Sequence, residues 1–206
     1  LRNAVQNSDL LYTETFDFVD NIDEVENFVK ALVAKYGKLS GFVHSAGVLR
    51  ACPIRSEDLA EERKLFALNV FAALAIMKVI ANKRYKAEAL SCILLSSIAA
   101  INGDSALTTY SASKGAIVSA VKSLAKELGR LNIRVNAVAP GTVKTDISQA
   151  NPAFFNEAYY ENIRQKWVLP YSSNPEQVAN LIIFLLSPDS NWITVQSIVI
   201  DGGESL

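Results

Sequence analysis

Tyr110 and Lys114 are the two side chains of this sequence whose types and spacing most directly suggest chemistry. A free tyrosine titrates at about pH 10 and is a poor proton donor or acceptor at neutral pH. In a helix, a lysine four residues later lies beside the phenol, and its ammonium stabilises the phenolate and lowers the pKa of the tyrosine. The pair therefore predicts a centre for general acid–base catalysis. The alternative is a core tyrosine beside a lysine that extends its ammonium to solvent, because this spacing also occurs by chance.

Two further polar residues strengthen the acid–base prediction. Ser97 ends the apolar run SCILLSS, and open α/β sheets bind ligands at the carboxyl ends of their strands, where a hydroxyl can hydrogen-bond to a carbonyl oxygen. Asn69 lies in the apolar segment LFALNVFAAL, where a buried amide needs hydrogen-bond partners, and we expect it to hold a water for proton relay. The alternatives are a serine that ends its strand by bonding a turn and an asparagine at a helix–helix contact.

The segments that must position these residues alternate between strand and helix. Strands are predicted at 13–18, 41–47, 91–97, 133–141 and 197–203, and helices at about 23–36, 56–81, 109–131 and 175–186. Asn21 or Asp23 is expected to cap the first of these helices, and residues before 13 look like the end of an earlier helix. The alternation predicts one α/β domain over 1–206, a doubly wound parallel sheet between two helix layers in a Rossmann-type sandwich.

Composition limits the function classes that remain open. The net charge is −1 and no basic stripe stands out, which argues against a nucleic-acid partner. No apolar run approaches the roughly 18 residues of a membrane span, so we expect no membrane partner. Cys52 and Cys92 lack a metal-ligand spacing and are expected to be reduced core thiols. His44 is the only histidine, which excludes a metal cluster built from several histidines, and we expect it to be a strand residue.

In these residues the chain resembles the short-chain dehydrogenase/reductase family, in its compact branch, and is similar to the 3-oxoacyl-acyl-carrier-protein reductases. Asn69, Ser97, Tyr110 and Lys114 match the catalytic tetrad of the family in order and spacing. The resemblance extends over essentially the whole chain. Further matches are the turn at Pro140 and Gly141, Thr145, Asp17 and the closing motif at 201–203.

The resemblance implies an oxidoreductase that interconverts a carbonyl and an alcohol by hydride transfer with NAD or NADP. In that comparison Asp17 contacts the adenine, Thr145 binds the nicotinamide carboxamide, and Lys114 lowers the pKa of Tyr110 and bonds the ribose. No metal is implied. The full set of implied cofactor-binding residues is Asp17, Phe18, Ser45, Ala46, Gly47, Tyr110, Lys114, Pro140, Gly141 and Thr145.

Two departures from the family pattern are visible. The usual Asn-Asn-Ala-Gly loop is replaced by His44, Ser45, Ala46 and Gly47, in which glycine still allows close backbone approach to a cofactor ribose. The glycine-rich strand–turn–helix that cradles the pyrophosphate should precede Leu1, so we expect the sequence to be N-terminally incomplete. The choice between NAD and NADP depends on residues of that missing portion.

The remaining expectations concern substrate, assembly and location. Residues 151–167 are rich in aromatic side chains and predict an apolar lid for a hydrophobic or bulky substrate, with ordinary helical packing as the alternative. The helix over 70–80 is apolar nearly all round, so we expect it to be buried on every side. The resemblance implies that this helix and the Tyr110 helix form the main subunit contact of a homodimer or homotetramer. A cytoplasmic location is expected. A catalytically silent nucleotide-binding regulatory or scaffold protein on the same fold is the main alternative. An extended relative that acts on nucleotide sugars is disfavoured because the sequence ends soon after 201–203.

Overall fold

The computed structural model describes residues 11–170 and 173–206. Its single sheet contains four parallel strands in the order β1-β2-β3-β4. The strands are β1 (Leu39–His44), β2 (Lys86–Leu95), β3 (Ile133–Pro140) and β4 (Ser197–Ile200). All four coincide with predicted strands, although β1 and β2 begin earlier than expected. The helix end predicted before residue 13 falls largely outside the described residues.

Helices occupy the connections between the strands. They are α1 (Val25–Tyr36), α2 (Leu59–Phe66), α3 (Ala72–Ile80), α4 (Ala99–Asn102), α5 (Thr108–Leu128), α6 (Asp146–Gln149), α7 (Glu157–Lys166) and α8 (Pro175–Leu186). A π-helical turn, Ala67–Phe71, joins α2 to α3, so the helix predicted over 56–81 is one rod with a wide turn in its middle. The Asp58 carboxylate starts that rod by accepting the N–H of Ala60 at 2.8 Å.

The sheet lies between two helix layers, as predicted from the alternation. Along β2, Cys92 and Leu94 point into the core shared with α1, α3 and α5, and Ile93 points into the opposite core, where Leu185 of α8 is fully buried. Because successive strand side chains face opposite sides, an uninterrupted apolar strand is what two covered faces require. The three-layer Rossmann-type architecture is therefore confirmed.

The strand predicted at 13–18 is wrong. A strand needs a neighbour to bond its backbone, and in the described part of the chain no strand pairs with this segment. Its aromatic rings pack on α1 instead, with the Phe16 and Phe28 centroids 4.4 Å apart. The Asp17 carboxylate closes a turn by accepting the N–H of Val19 at 2.8 Å.

The capping prediction for α1 is also wrong, because a 3-10 turn, Ile22–Glu24, precedes the helix and the Asn21 side chain makes no capping bond.

Two expectations from composition can be compared with the structure. Both cysteines are free: Cys92 is fully buried in β2, where burial raises the pKa of its thiol to about 12, and Cys52 is half-buried. Among residues 11–170 and 173–206, no helix combines the length and hydropathy needed to cross a bilayer.

Candidate active site

The carboxyl ends of the strands border one cavity of about 450 Å³, a volume within the range of small-molecule sites. The loop after β1 supplies Ser45 and Gly47 to its wall, and the loop after β2 supplies Ser97. Gly141 comes from the loop after β3, and Glu204 follows β4. Parallel strands bring their carboxyl ends to one edge of the sheet, so residues far apart in sequence meet here.

Tyr110 lies in the first turn of α5 and lines this cavity. Burial raises the pKa of its phenol above the ordinary value, and a hydrogen bond with the Ser97 hydroxyl opposes that rise. The prediction that Lys114 lowers the pKa of Tyr110 is not met in this arrangement. The physical reason is that desolvation of the phenolate outweighs the stabilisation that its neighbours supply.

Lys114 is buried one turn further along α5 and also lines the cavity. Its Nζ donates to the carbonyl of Leu95 at 2.9 Å and lies 5.7 Å from the centroid of the Tyr110 ring. Burial lowers the pKa of the ammonium to about 8, so the charge is retained at pH 7 at a cost in stability. The alternative of a lysine that extends its ammonium to solvent is wrong, because the Lys114 ammonium is directed into the protein.

Ser97 and its neighbour Ser96 have different surroundings. The Ser97 Oγ accepts the N–H of Ala99 at 3.1 Å, which leaves its own hydrogen for the phenol or for a ligand oxygen, and Ser97 lines the cavity. Ser96 is buried, and its Oγ donates to the carbonyl of Lys114 at 2.9 Å. Ser96 thus connects the end of β2 to α5, and Ser97 is exposed to the cavity.

Asn69 is fully buried in the π-turn and holds the loop after β1. Its Oδ1 accepts the N–H of Val48 at 2.8 Å, and its Nδ2 donates to the Val48 carbonyl at 3.0 Å and to Ser113 Oγ at 3.1 Å. The Ser113 hydroxyl in turn donates to the carbonyl of Tyr110 at 2.7 Å. A relay water at Asn69 stays a prediction, and of its side-chain amide only the oxygen keeps a free lone pair.

Two glycines give the cavity its shape at the positions implied for a nicotinamide cofactor. A Cβ on Gly47 would lie 3.1 Å from Asn69 Oδ1 and 3.5 Å from Lys114 Nζ, so a side chain there would crowd the amide and shield the ammonium from the cavity. The ammonium of Lys114, the phenol of Tyr110 and the hydroxyl of Ser45 are the hydrogen-bonding groups that the ribose of a nucleotide requires. The residues present therefore fit the nicotinamide–ribose half of such a cofactor.

Gly141→Ala should destabilise the protein, because the new Cβ would lie 2.7 Å from Asp201 Cβ and 2.9 Å from Asp201 Cα. We expect a loss of about 1–3 kcal/mol of unfolding free energy, the usual cost of overpacking. Gly129→Ala is the matched control, since a Cβ there meets nothing within 4 Å and the backbone is already helical. Thermal melts of both variants measure the difference, and equal melting temperatures would contradict the predicted clash.

The other implied cofactor residues are distributed unevenly. Thr145 lies at the start of α6 and lines the cavity, as does Pro140 at the end of β3. Ala46 belongs to the loop after β1 but is not among the residues that line the cavity. Asp17 and Phe18 lie outside the lining as well, the first closing a turn and the second packing on the core. A contact of these two residues with adenine stays a prediction.

The aromatic segment 151–167 forms one wall of the cavity. Phe155, Tyr159 and Ile163 line it, whereas Tyr160 is buried and donates through its hydroxyl to Ser148 Oγ at 2.9 Å. Asn151 bonds across to the loop after β1, accepting the N–H of Ala51 and donating to the Leu49 carbonyl, each at 3.1 Å. The segment therefore has features of both alternatives, because some of its side chains cover the cavity and others pack as in an ordinary helix. Its mobility stays a prediction.

Glu204 is a buried carboxylate of this site that sequence reasoning missed. Its Oε1 accepts the hydroxyl of Thr142 at 2.7 Å, and its Oε2 accepts the N–H of Thr142 at 2.8 Å and the indole N–H of Trp167 at 3.2 Å. One side chain therefore joins the loop after β3 to the end of the aromatic segment. The only signal in the sequence is an acidic residue directly after the glycine pair that follows β4.

Known proteins similar to this chain share its fold and this arrangement of strands. A model of the protein family described as Enoyl-(Acyl carrier protein) reductase matches residues 16–205. A 3-oxoacyl-acyl-carrier-protein reductase of Thermotoga maritima is 32% identical over 185 residues, which cover 90% of this chain and 74% of that relative.

Solved structures agree with these matches. A short-chain type dehydrogenase/reductase from Mycobacterium ulcerans is 32% identical and superposes with a TM-score of 0.84, covering 93% of this chain and 69% of that one. A blue fluorescent protein from a metagenomic library, in complex with NADPH, is 27% identical with a TM-score of 0.82, covering 92% and 74% respectively. Together with the family match over residues 16–205, these likenesses show that the chain belongs to the short-chain dehydrogenase/reductase family of NAD(P)-dependent oxidoreductases.

Proposed function

We propose that the protein interconverts a carbonyl and an alcohol with NAD or NADP, using Tyr110, Lys114, Ser97 and Asn69. The observation that carries the proposal is that Tyr110, Lys114 and Ser97 line one cavity at the carboxyl edge of the sheet. Asn69 is connected to this group through Ser113, which accepts from the Asn69 amide and donates to the Tyr110 carbonyl. An acid, a cation and a hydrogen-bond donor on one cavity are the groups that protonation of a carbonyl oxygen needs.

In the reduction direction, Tyr110 donates its proton to the carbonyl oxygen of the substrate. Ser97 orients that oxygen with its hydroxyl hydrogen, which the bond from Ala99 leaves free. Lys114 keeps a positive charge near the phenolate that forms, because its pKa of about 8 lies above neutral pH. Asn69 and Ser113 keep the catalytic helix and the loop after β1 in register.

A nicotinamide cofactor supplies the hydride when bound. Lys114 and Tyr110 would hold its ribose and Thr145 its carboxamide, which is supported by the presence of all three in the cavity lining. Gly47 leaves the Lys114 ammonium open to the cofactor, since a Cβ at this position would lie 3.5 Å from Lys114 Nζ. The NADPH bound to the metagenomic neighbour supports this class of cofactor. Thermal shifts with NADH and NADPH test the proposal, and the larger shift identifies the cofactor that is used.

The walls of the cavity favour a substrate with an apolar chain. Similarity to the Thermotoga 3-oxoacyl reductase supports a 3-oxoacyl thioester as the substrate class. The apolar lining residues include Leu49, Leu107, Ile147, Phe155 and Ile163. Burial of each additional methylene stabilises the complex by about 0.8 kcal/mol, or roughly fourfold in affinity.

Oxidation of NADH or NADPH by 3-oxoacyl thioesters of increasing chain length tests this substrate class. We expect kcat/KM to rise by up to roughly fifteenfold with each added pair of methylenes until the cavity is filled. Phe155→Ala should flatten that dependence, because Phe155 lines the cavity. Phe154→Ala is the matched control, since Phe154 packs beside Phe155 without being part of the lining. A chain-length series with constant kcat/KM would contradict the apolar-chain proposal.

We also propose a homodimer or homotetramer that assembles through α3 and α5, and a cytoplasmic location. The expectation that residues 70–80 are buried on every side is only partly met, because Phe71 is 53% exposed and Lys78 is exposed. An apolar ring held in solvent at this position supports a contact with a second subunit. Light scattering of the purified protein tests the assembly, and a monomeric mass would contradict it.

A further inference from the structure

His44, the only histidine, is a buried residue at the end of β1 that lies outside the cavity lining. Its position in β1 confirms the prediction of a strand residue. Its Nε2 lies 3.2 Å from the carbonyl oxygen of Leu68, in the π-turn. A carbonyl can only accept, so Nε2 must carry the hydrogen and the imidazole is the neutral Nε2–H tautomer.

The π-turn is the point at which this contact can affect the active site. Single π-turns inside α-helices often occur at functional sites, because the widened turn re-aims the side chains that it carries. Here the turn carries Asn69 immediately after Leu68. Asn69 bonds both backbone groups of Val48, which is next to Gly47, and it bonds Ser113 on the catalytic helix. Ser113 then bonds the carbonyl of Tyr110.

A continuous path of hydrogen bonds and covalent bonds thus runs from the His44 ring to the backbone of Tyr110. We propose that His44 is a positioning residue of the active site, whose imidazole N–H fixes the π-turn so that Asn69 holds Val48 and the Tyr110 helix in place. The proposal rests on the proposed oxidoreductase function for its catalytic consequence. Its structural part, the Nε2–H bond and the order of Val48, can be tested without turnover.

The surroundings keep this imidazole neutral. Burial and the nearby charge of Lys114 lower the pKa of His44 to about 4, while its contacts with the backbone of Leu68 and Asn69 act in the opposite direction. A neutral ring keeps its single hydrogen on the nitrogen that faces Leu68. It also avoids a second cation beside the catalytic ammonium.

Nitrogen NMR of the full chain measures the tautomer of His44 directly, because one histidine gives one set of imidazole signals. We expect the Nε2–H tautomer at pH 7 and titration near the pKa of about 4. An Nδ1–H tautomer at pH 7 would overturn the proposed bond to Leu68.

Two amide variants separate a positioning role of His44 from a simple packing role. His44→Gln can place an amide N–H near the original Nε2, whereas His44→Asn can place one only near Nδ1, too short to reach Leu68. We expect His44→Gln to keep kcat within about threefold and His44→Asn to lower it by at least about tenfold, because the side-chain bond that fixes the π-turn is worth about 1 kcal/mol or more. Because the effect passes through Tyr110 and also through the loop that carries Gly47, it should appear mainly in kcat, with a smaller rise in the KM for the cofactor.

Hydrogen exchange at the Val48 amide distinguishes failure of this proposal from failure of the proposed function. That amide is held by Asn69 Oδ1 at 2.8 Å. We expect it to exchange at least about tenfold faster in His44→Asn than in His44→Gln, whether or not either protein turns over. Equal exchange in the two variants would overturn the positioning role. Faster exchange in His44→Asn without turnover in the wild type would support the role and contradict the oxidoreductase function.

Discussion

Tyr110→Phe is expected to lower kcat by about 10²- to 10⁴-fold while weakening cofactor binding by at most about tenfold, the cost of the one ribose hydrogen bond that is lost. The substitution removes only the phenolic O–H, the group that donates the proton, and a general acid typically contributes this much to a rate. The ring remains, so the packing of α5 and the face opposite Lys114 Nζ at 5.7 Å are retained. Steady-state kinetics and a cofactor titration of the variant provide the two measurements.

Two other tyrosines serve as controls for this result. Tyr36→Phe removes a hydroxyl that donates to Glu14 on the surface, far from the cavity, and should leave kcat unchanged. Tyr159→Phe removes the second tyrosine hydroxyl of the cavity wall, which lies 3.5 Å from Thr142 Oγ1. If Tyr159→Phe abolished turnover and Tyr110→Phe did not, the proton donor would be Tyr159 and the assignment would be wrong.

Lys114→Met should lower kcat by at least about 10²-fold and at the same time raise the melting temperature at pH 7. The buried ammonium is destabilising, because its pKa is about 8 in the folded protein against 10.5 for a free lysine. This difference corresponds to at most about 3 kcal/mol, from which about 1 kcal/mol is subtracted for the lost bond to the Leu95 carbonyl. The melting temperature should therefore rise by a few degrees.

The pH dependence of this effect has a definite sign. Below pH 8 the lysine is charged in both the folded and the unfolded states, so the wild type bears the full penalty. Between pH 8 and 10.5 the folded protein loses its proton before the unfolded chain does, and the stability of the wild type rises towards that of the variant. Lys122→Met, on the exposed side of the same helix, is the control and should leave the melting temperature at pH 7 nearly unchanged. A variant less stable than the wild type at pH 7 would contradict the penalty assigned to Lys114.

The layers and order of the fold could be predicted from local patterns. Uninterrupted apolar strands such as SCILLSS are local signals, and this one was interpreted correctly as a strand with two covered faces. The strand predicted at 13–18 failed because strand formation depends on a neighbour, which periodicity does not reveal. The aromatic residues that suggested a strand are used to pack on α1.

The candidate site was predictable where side chains follow a strand or share a helix face. Ser97, Tyr110 and Lys114 were found in this way. Glu204 was missed because its partners, Thr142 and Trp167, are 62 and 37 residues away and no spacing rule connects them. Similarly, the sequence predicted only a strand residue at His44, because the Leu68 carbonyl that its Nε2 reaches is 24 residues away, in the π-turn.

Electrostatics was the least predictable part of the site. Sequence spacing placed an ammonium beside a phenol, and a lowered pKa of the phenol was the natural expectation. The structure instead has both groups buried, so that the pKa of Tyr110 is raised and that of Lys114 is lowered. The degree of desolvation depends on how the whole cavity wall packs, which a four-residue spacing does not contain.

Transfer of deuterium from nicotinamide-labelled NADH or NADPH to a 3-oxoacyl thioester, followed by mass spectrometry of the product, tests the central claim most directly. The account predicts an alcohol with one deuterium on the former carbonyl carbon, formed by the wild type and reduced by about 10²- to 10⁴-fold in Tyr110→Phe. Cofactor binding without any deuterium transfer across a broad panel of carbonyl compounds would contradict it, and would identify the protein as a catalytically silent member of its family.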